Sequence, residues 1–137
     1  MKFLVDANVL SEAVKPIPEP KVLAWLSANE TELAINPIVL GELQYGILLL
    51  PGGKKRDQLR KWLLSGVPYM TMLDWDANTA MEWARLLAEL KTKGRAMPIK
   101  VSLIAASARQ HRLSIATRNT KDFAHTRVPI INPFDWC

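Results

Sequence analysis

Soft metal ligands and redox-active side chains are nearly missing from this chain. It has one cysteine, Cys137, and two histidines, His111 and His125. A lone cysteine excludes an internal disulfide and a thiolate metal cluster, which fits a reducing compartment and makes Cys137 a bystander. Neither histidine has a partner at metal-ligand spacing, so both read as surface or helix-end residues. Glycine is scarce as well, at six residues, and none of them builds a phosphate-cradling loop or a nucleophile elbow. A small α/β phosphatase or nucleotide binder is disfavoured on that ground. No apolar run approaches the length of a membrane span, and the chain opens on a strand pattern rather than on a basic segment before a long apolar stretch. The expectation is a soluble, cytoplasmic protein. Repeats and low-complexity segments are also lacking, so no linker is placed and residues 1–137 are expected to form one domain.

What the chain does have is enough apolar content for one core and an excess of positive charge. Of its 137 residues 49% are hydrophobic and 23% charged, with a formal net charge of +5 and a pI near 9.6. That balance favours an anionic partner, most commonly nucleic acid. The basic residues gather at Lys54, Lys55, Arg56, Arg60 and Lys61, at Lys91, Lys93, Arg95 and Lys100, and at Arg109, Arg112, Arg118 and Lys121. Each cluster is either a solvated helix face or part of a binding surface.

The organising stretch is MKFLVDAN. Lys2 to Val5 is a short apolar strand pattern that stops at Asp6. In open α/β sheets ligands collect beyond the carboxyl ends of the strands, so Asp6 either faces such a crevice or caps the helix that begins near Val9. Further helices are expected at Val9 to Lys15, Lys21 to Asn29, Pro37 to about Leu50, Lys54 to Leu64 and Asp76 to Lys93, the last stopped by Gly94. Strands are expected at Thr31 to Ile35, Tyr69 to Leu73, Leu113 to Thr117 and Ile130 to Ile131. The block from Met97 to Ala108 starts at Pro98 and runs into Ala and Ser, a composition that lets a helix approach a sheet closely.

On the helix from Pro37, Glu42 shares a face with Ile38, Tyr45 and Leu49. Burying an ionised carboxylate there costs several kcal/mol unless a cation or strong donors compensate it. The alternative is that Glu42 sits at the edge of the apolar stripe and reaches water.

Alternating strands and helices imply an α/β fold with a parallel sheet and helices on both faces. The carboxyl ends of the first and fourth strands can then lie side by side. Asp6, Asn119 and Asp122 would share one crevice with Glu42 from a neighbouring helix, an oxygen-rich site suited to Mg2+ or Mn2+ rather than zinc. A divalent ion there cancels carboxylate repulsion, orients a phosphodiester and activates water for in-line attack.

Five segments, FLVDANVLSE, LGELQYGI, GRAMPIKVSLIAASA, LSIATRNTKDF and INPFDW, together resemble the PIN-domain ribonucleases of the VapC toxin class. The resemblance implies a small α/β/α three-layer sandwich around a parallel sheet, and metal-dependent endonucleolytic cleavage of RNA held in check by an antitoxin. It matches Asp6 and Glu42 to two family acids and Asn119 to a position that is Asp or Asn, with Asp122 as an outer acid. An aspartate normally precedes the small-residue helix in this family, and here that position is Val101. Valine cannot ligate a metal, and Lys100 beside it is expected to point elsewhere on the helix. Weakened or lost catalysis follows, leaving either an attenuated nuclease or a module that binds antitoxin or RNA without cutting it.

The resemblance further implies a homodimer or a toxin–antitoxin hetero-oligomer. The antitoxin's tail would cover an apolar groove and can bring an arginine into the acidic site. Trp25, Leu26, Leu59, Trp62 and Leu63 are candidates for such contacts or, singly, for core.

Overall fold

The computed structural model describes residues 1–67 and 70–136; Tyr69, at the start of the expected third strand, and Cys137 lie outside the described residues. The strands are β1 (Phe3–Val5), β2 (Leu33–Ile35), β3 (Thr71–Met72), β4 (Ser114–Ala116) and β5 (Ile130–Ile131). All pair in parallel in the order β3-β2-β1-β4-β5. The helices are α1 (Ala7–Glu12), α2 (Pro20–Ala28), α3 (Pro37–Leu48), α4 (Lys54–Ser65), α5 (Ala77–Thr92) and α6 (Ile99–His111). The chain steps outward from β1 in one direction to β2 and β3, then returns to place β4 and β5 on the other side. Strand order therefore reverses between β1 and β4, where open α/β sheets form their ligand crevice.

Local chemistry explains the element ends. Asp6 caps α1, so the helix starts at Ala7 rather than near Val9. Asn36 accepts the Val39 N–H at 3.0 Å and Pro37 follows at the first helical position, where no amide is missed. Asp76 and Thr79 form a reciprocal capping box at the start of α5. Gly94 takes φ 66° just after that helix, a conformation open to glycine at little cost.

The central strands are buried on both faces: Leu4, Val5, Ile35, Ile115 and Ala116 are inaccessible to solvent. Trp25 meets the Phe3 ring edge-on at 5.0 Å and is core, as is Leu63, which removes both from the candidate contact surfaces. On α5 the buried positions are Thr79, Leu86 and Leu90, while Ala84 is exposed.

The small residues of α6 do what their size allows. Ala105, Ala106, Ser107 and Ala108 are fully buried, and Ser107 accepts a hydrogen bond from the buried Asn36 amide at 3.0 Å, tying α6 to the start of α3. Arg109, one of the clustered basic residues, turns inward to Glu82 at 2.9 Å and to both oxygens of Glu89 at 2.7 and 3.1 Å. No helix among the described residues is long and apolar enough to cross a membrane.

The close approach of α6 makes a steric prediction. Ala105→Leu forces a larger side chain into a filled interior and is expected to destabilise the fold by about 1–3 kcal/mol, read as a lower urea midpoint with an unchanged slope.

Candidate active site

Asp6 is the first residue beyond β1, and its N–H still completes the sheet by donating to the Ala116 carbonyl at 2.9 Å. Its carboxylate is 5% exposed and receives three donors. The Ala7 N–H donates to Oδ1 at 2.8 Å, the Thr117 hydroxyl to Oδ2 at 2.8 Å, and the Asn8 amide to Oδ2 at 3.2 Å. The two roles that the sequence left open for Asp6 are therefore combined, because one carboxylate caps α1 and also lines the crevice. Thr117 in turn accepts from Asn8 at 3.3 Å and from the Asn119 N–H at 3.0 Å, and Asn8 Oδ1 accepts the Arg118 N–H at 3.1 Å. These bonds lace the ends of β1 and β4 together. Burial raises the Asp6 pKa above the ordinary aspartate range, against the opposing pull of Thr117, Ala7, Lys100 and Asn8.

Glu42 comes from α3. The buried stripe of that helix is Val39, Leu43 and Ile47, one position away from the expected one; Tyr45 is 65% exposed and Leu49 67%. Glu42 lies at the border of the stripe with a side chain 21% exposed, and it lines both the crevice and the groove beside it. Burial first, and the nearby Asp6 charge second, raise its pKa, with Lys100 opposing both. Its Oε1 is buried and has no hydrogen-bond partner among the described residues.

Lys100 corrects the sequence expectation directly. Its Nζ lies 3.6 Å from Glu42 Oε2, so the side chain turns into the site. Side chains at the start of a helix tilt toward its N-terminus, and the four-carbon stem of lysine is long enough to follow that direction over the rim. Asp6, Glu42, Lys100, Val101, Asn119 and Asp122 all line one cavity of about 280 Å³. The four predicted site residues are thus brought together, with Asp122 exposed at the edge and Val101 9% exposed in the wall. Although three acids line this cavity, among the described residues no three acids, histidines or cysteines stand close enough to hold one metal ion between them.

Sequence reasoning missed Thr117, Asn8 and the direction of Lys100. The signal for Thr117 was present: Val5 pairs with Ala116, so the residues that follow, Asp6 and Thr117, leave adjacent strand ends side by side.

Two further hollows flank the cavity. One, of about 450 Å³, runs between α1, α3 and α4 past Leu43, Ile47, Leu59 and Trp62, and shares Asn8 and Glu42 with the acidic cavity. The other shares Pro98 and Asp122 with it and is bordered by Arg95, Lys121 and His125, where Arg95 contacts the His125 ring at 2.9 Å.

The chain that builds this parallel sheet matches the PIN domain family over residues 3–129. The chain belongs to the PIN-domain family, in its VapC class. It is 35% identical over 136 residues to toxin FitB of Neisseria gonorrhoeae, covering 96% of this chain and 98% of that one. It is also 35% identical over 137 residues to the VapC ribonuclease Y4jK of Sinorhizobium fredii, covering 97% and 98%. The solved structure of FitAB bound to an IR36 DNA fragment superposes with a TM-score of 0.90 at 32% identity, covering 98% of this chain and 97% of that one.

The raised carboxyl pKa values set a pH dependence. A carboxyl that titrates higher in the folded chain than in the unfolded one binds its proton more tightly when folded, so stability falls as pH rises from the unfolded pKa through the folded one. Glu42→Gln removes that cost. It is expected to raise the melting temperature at pH 7 and to match the parent below about pH 4, where both states are protonated. Paired thermal melts across this range check it.

Proposed function

We propose that this chain is the toxin of a toxin–antitoxin pair and that its acidic cavity serves Mg2+-dependent cleavage of RNA phosphodiesters, at a capacity lowered by Val101. The observation that carries the reading is the meeting of Asp6 and Glu42 at one cavity, with a Glu42 oxygen buried and unpartnered. Such a donor set fits a hard cation, since Mg2+ is commonly held by one or two carboxylates while water and substrate phosphate complete its shell; Mn2+ accepts the same ligands. Asp6 and Glu42 would hold it. When bound, the ion supplies positive charge against the phosphodiester and a more acidic water.

The chain's own residues have separable tasks. Asp6 is kept in one orientation by its three donors, so its ligand geometry is preset. Asn119 and Asp122 present an amide and a carboxylate from the segment after β4, where they can orient water and the RNA backbone. Arg95 and Lys121, in the adjoining hollow, suit neighbouring phosphates. Val101 puts two methyl groups where the family resemblance calls for a carboxylate, which weakens ion binding and water positioning together. The relative named as a VapC ribonuclease supports this reading, on which the substrate is RNA in the cytoplasm.

A binding module that no longer cuts RNA is the second reading, favoured by Val101 and by the Lys100–Glu42 pair. Val101→Asp separates the two. The first predicts a gain of at least roughly tenfold in Mg2+-dependent RNA cleavage, abolished by adding Glu42→Gln. A folded Val101→Asp protein that stays inert with Mg2+ and Mn2+ removes the nuclease reading.

On the same proposal, the antitoxin occupies the groove between α1, α3 and α4. Leu59 and Trp62 offer it an apolar wall, and the shared Glu42 brings its end to the acidic cavity. Leu59→Arg, with its charge in that wall, is expected to reduce co-purification with the co-expressed antitoxin by tenfold or more, on the order of one lost apolar anchor, while circular dichroism stays unchanged.

A further inference from the structure

We infer that Lys100 is the resident cation of the acidic cavity, holding Glu42 in the ion-free protein and competing with a divalent cation for it. The inference deepens the reading of the cavity as a cation site and rests on it. Three observations carry it. The Lys100 ammonium is 3.6 Å from Glu42 Oε2 and lines the same cavity as Asp6. The other oxygen of that carboxylate, Glu42 Oε1, is buried and has no hydrogen-bond partner among the described residues. Val101, the next residue, closes the wall with methyl groups and offers no oxygen that could strengthen the hold on a metal.

The charges then define two states. With Lys100 inside, the inner carboxylates Asp6 and Glu42 and the ammonium together keep a single net negative charge, with Asp122 a third carboxylate exposed at the edge. With a divalent ion between Asp6 and Glu42 the two carboxylates are balanced, and the ammonium loses the net attraction that held it there. Lys100 is then released, and it is free to turn outward because its side chain is 60% exposed and hangs from the rim at the start of α6. Ion binding is therefore an exchange of cations, and its affinity is lowered by the strength of the Lys100–Glu42 contact.

The test uses Mn2+ alone, followed by the paramagnetic resonance signal of the free ion, with the full chain as wild type, Lys100→Met, Lys100→Arg and Val101→Asp. Lys100→Met is expected to bind Mn2+ roughly two- to fivefold more tightly than wild type, the size of one partly exposed charge contact. Lys100→Arg is expected to stay at the wild-type affinity, because it keeps the charge. Without metal, Lys100→Met melts below wild type, and it gains more from added Mn2+. If Val101→Asp binds Mn2+ while Lys100→Met remains within twofold of wild type, the role given to Lys100 is wrong and the cation site stands. Equal tightening in Lys100→Met and Lys100→Arg overturns it too, since shape rather than charge would then be acting. Absence of Mn2+ binding in all four proteins overturns both this inference and the cation-site reading.

Discussion

The carboxylate of Asp6, buried at the end of the central strand and held by donors from two strand ends, is the constraint on which the site depends. Its position follows from the sheet order. β1 is flanked by β2 on one side and β4 on the other, so the residue after Val5 emerges where the connections diverge. An ionised group at that depth needs several donors. The Ala7 amide, Asn8 and Thr117 supply them, and the same bonds stitch β1 to β4. Fold and site thus share one network: Asp6 cannot be moved without loosening the start of α1 and the end of β4.

Around that fixed point the other groups settle a problem of charge. Glu42 adds a second negative group whose Oε1 no protein donor reaches among the described residues, and Lys100 covers only Oε2. The cavity is left short of positive charge, and a hard cation or a donor from a partner would meet that need. Glu42 and Asn8 also line the apolar groove, so a protein segment lying in that groove would reach Glu42, one of the two residues proposed to hold the ion. Inhibition by a partner would then require no change of fold.

Much of this was legible in the residues. KFLV followed by Asp, the proline-led run of Ala and Ser, and the alternation of strand and helix were enough for the parallel sheet, the close-packed α6 and the convergence of residues 6, 42, 119 and 122 on one crevice. The errors have physical causes. A 12-residue helix such as α3 packs on one side against α6 and on the other against α1 and α4, so apolar spacing alone did not say that Val39, Leu43 and Ile47, rather than Ile38, Tyr45 and Leu49, face inward. Lys100 was misjudged because its long stem carries the ammonium back over the rim to Glu42, a residue of another helix that no local pattern brings near. Trp25 and Leu63 turned out to be core, as large apolar side chains usually do.

The most direct measurement is anomalous scattering from crystals of this chain soaked in Mn2+ at millimolar concentration. The account predicts a peak about 2.1 Å from carboxylate oxygens of both Asp6 and Glu42, with the Lys100 side chain turned out of the cavity. A peak only at other acids, or Lys100 still paired to Glu42 with no metal beside Asp6 at saturating Mn2+, would contradict it.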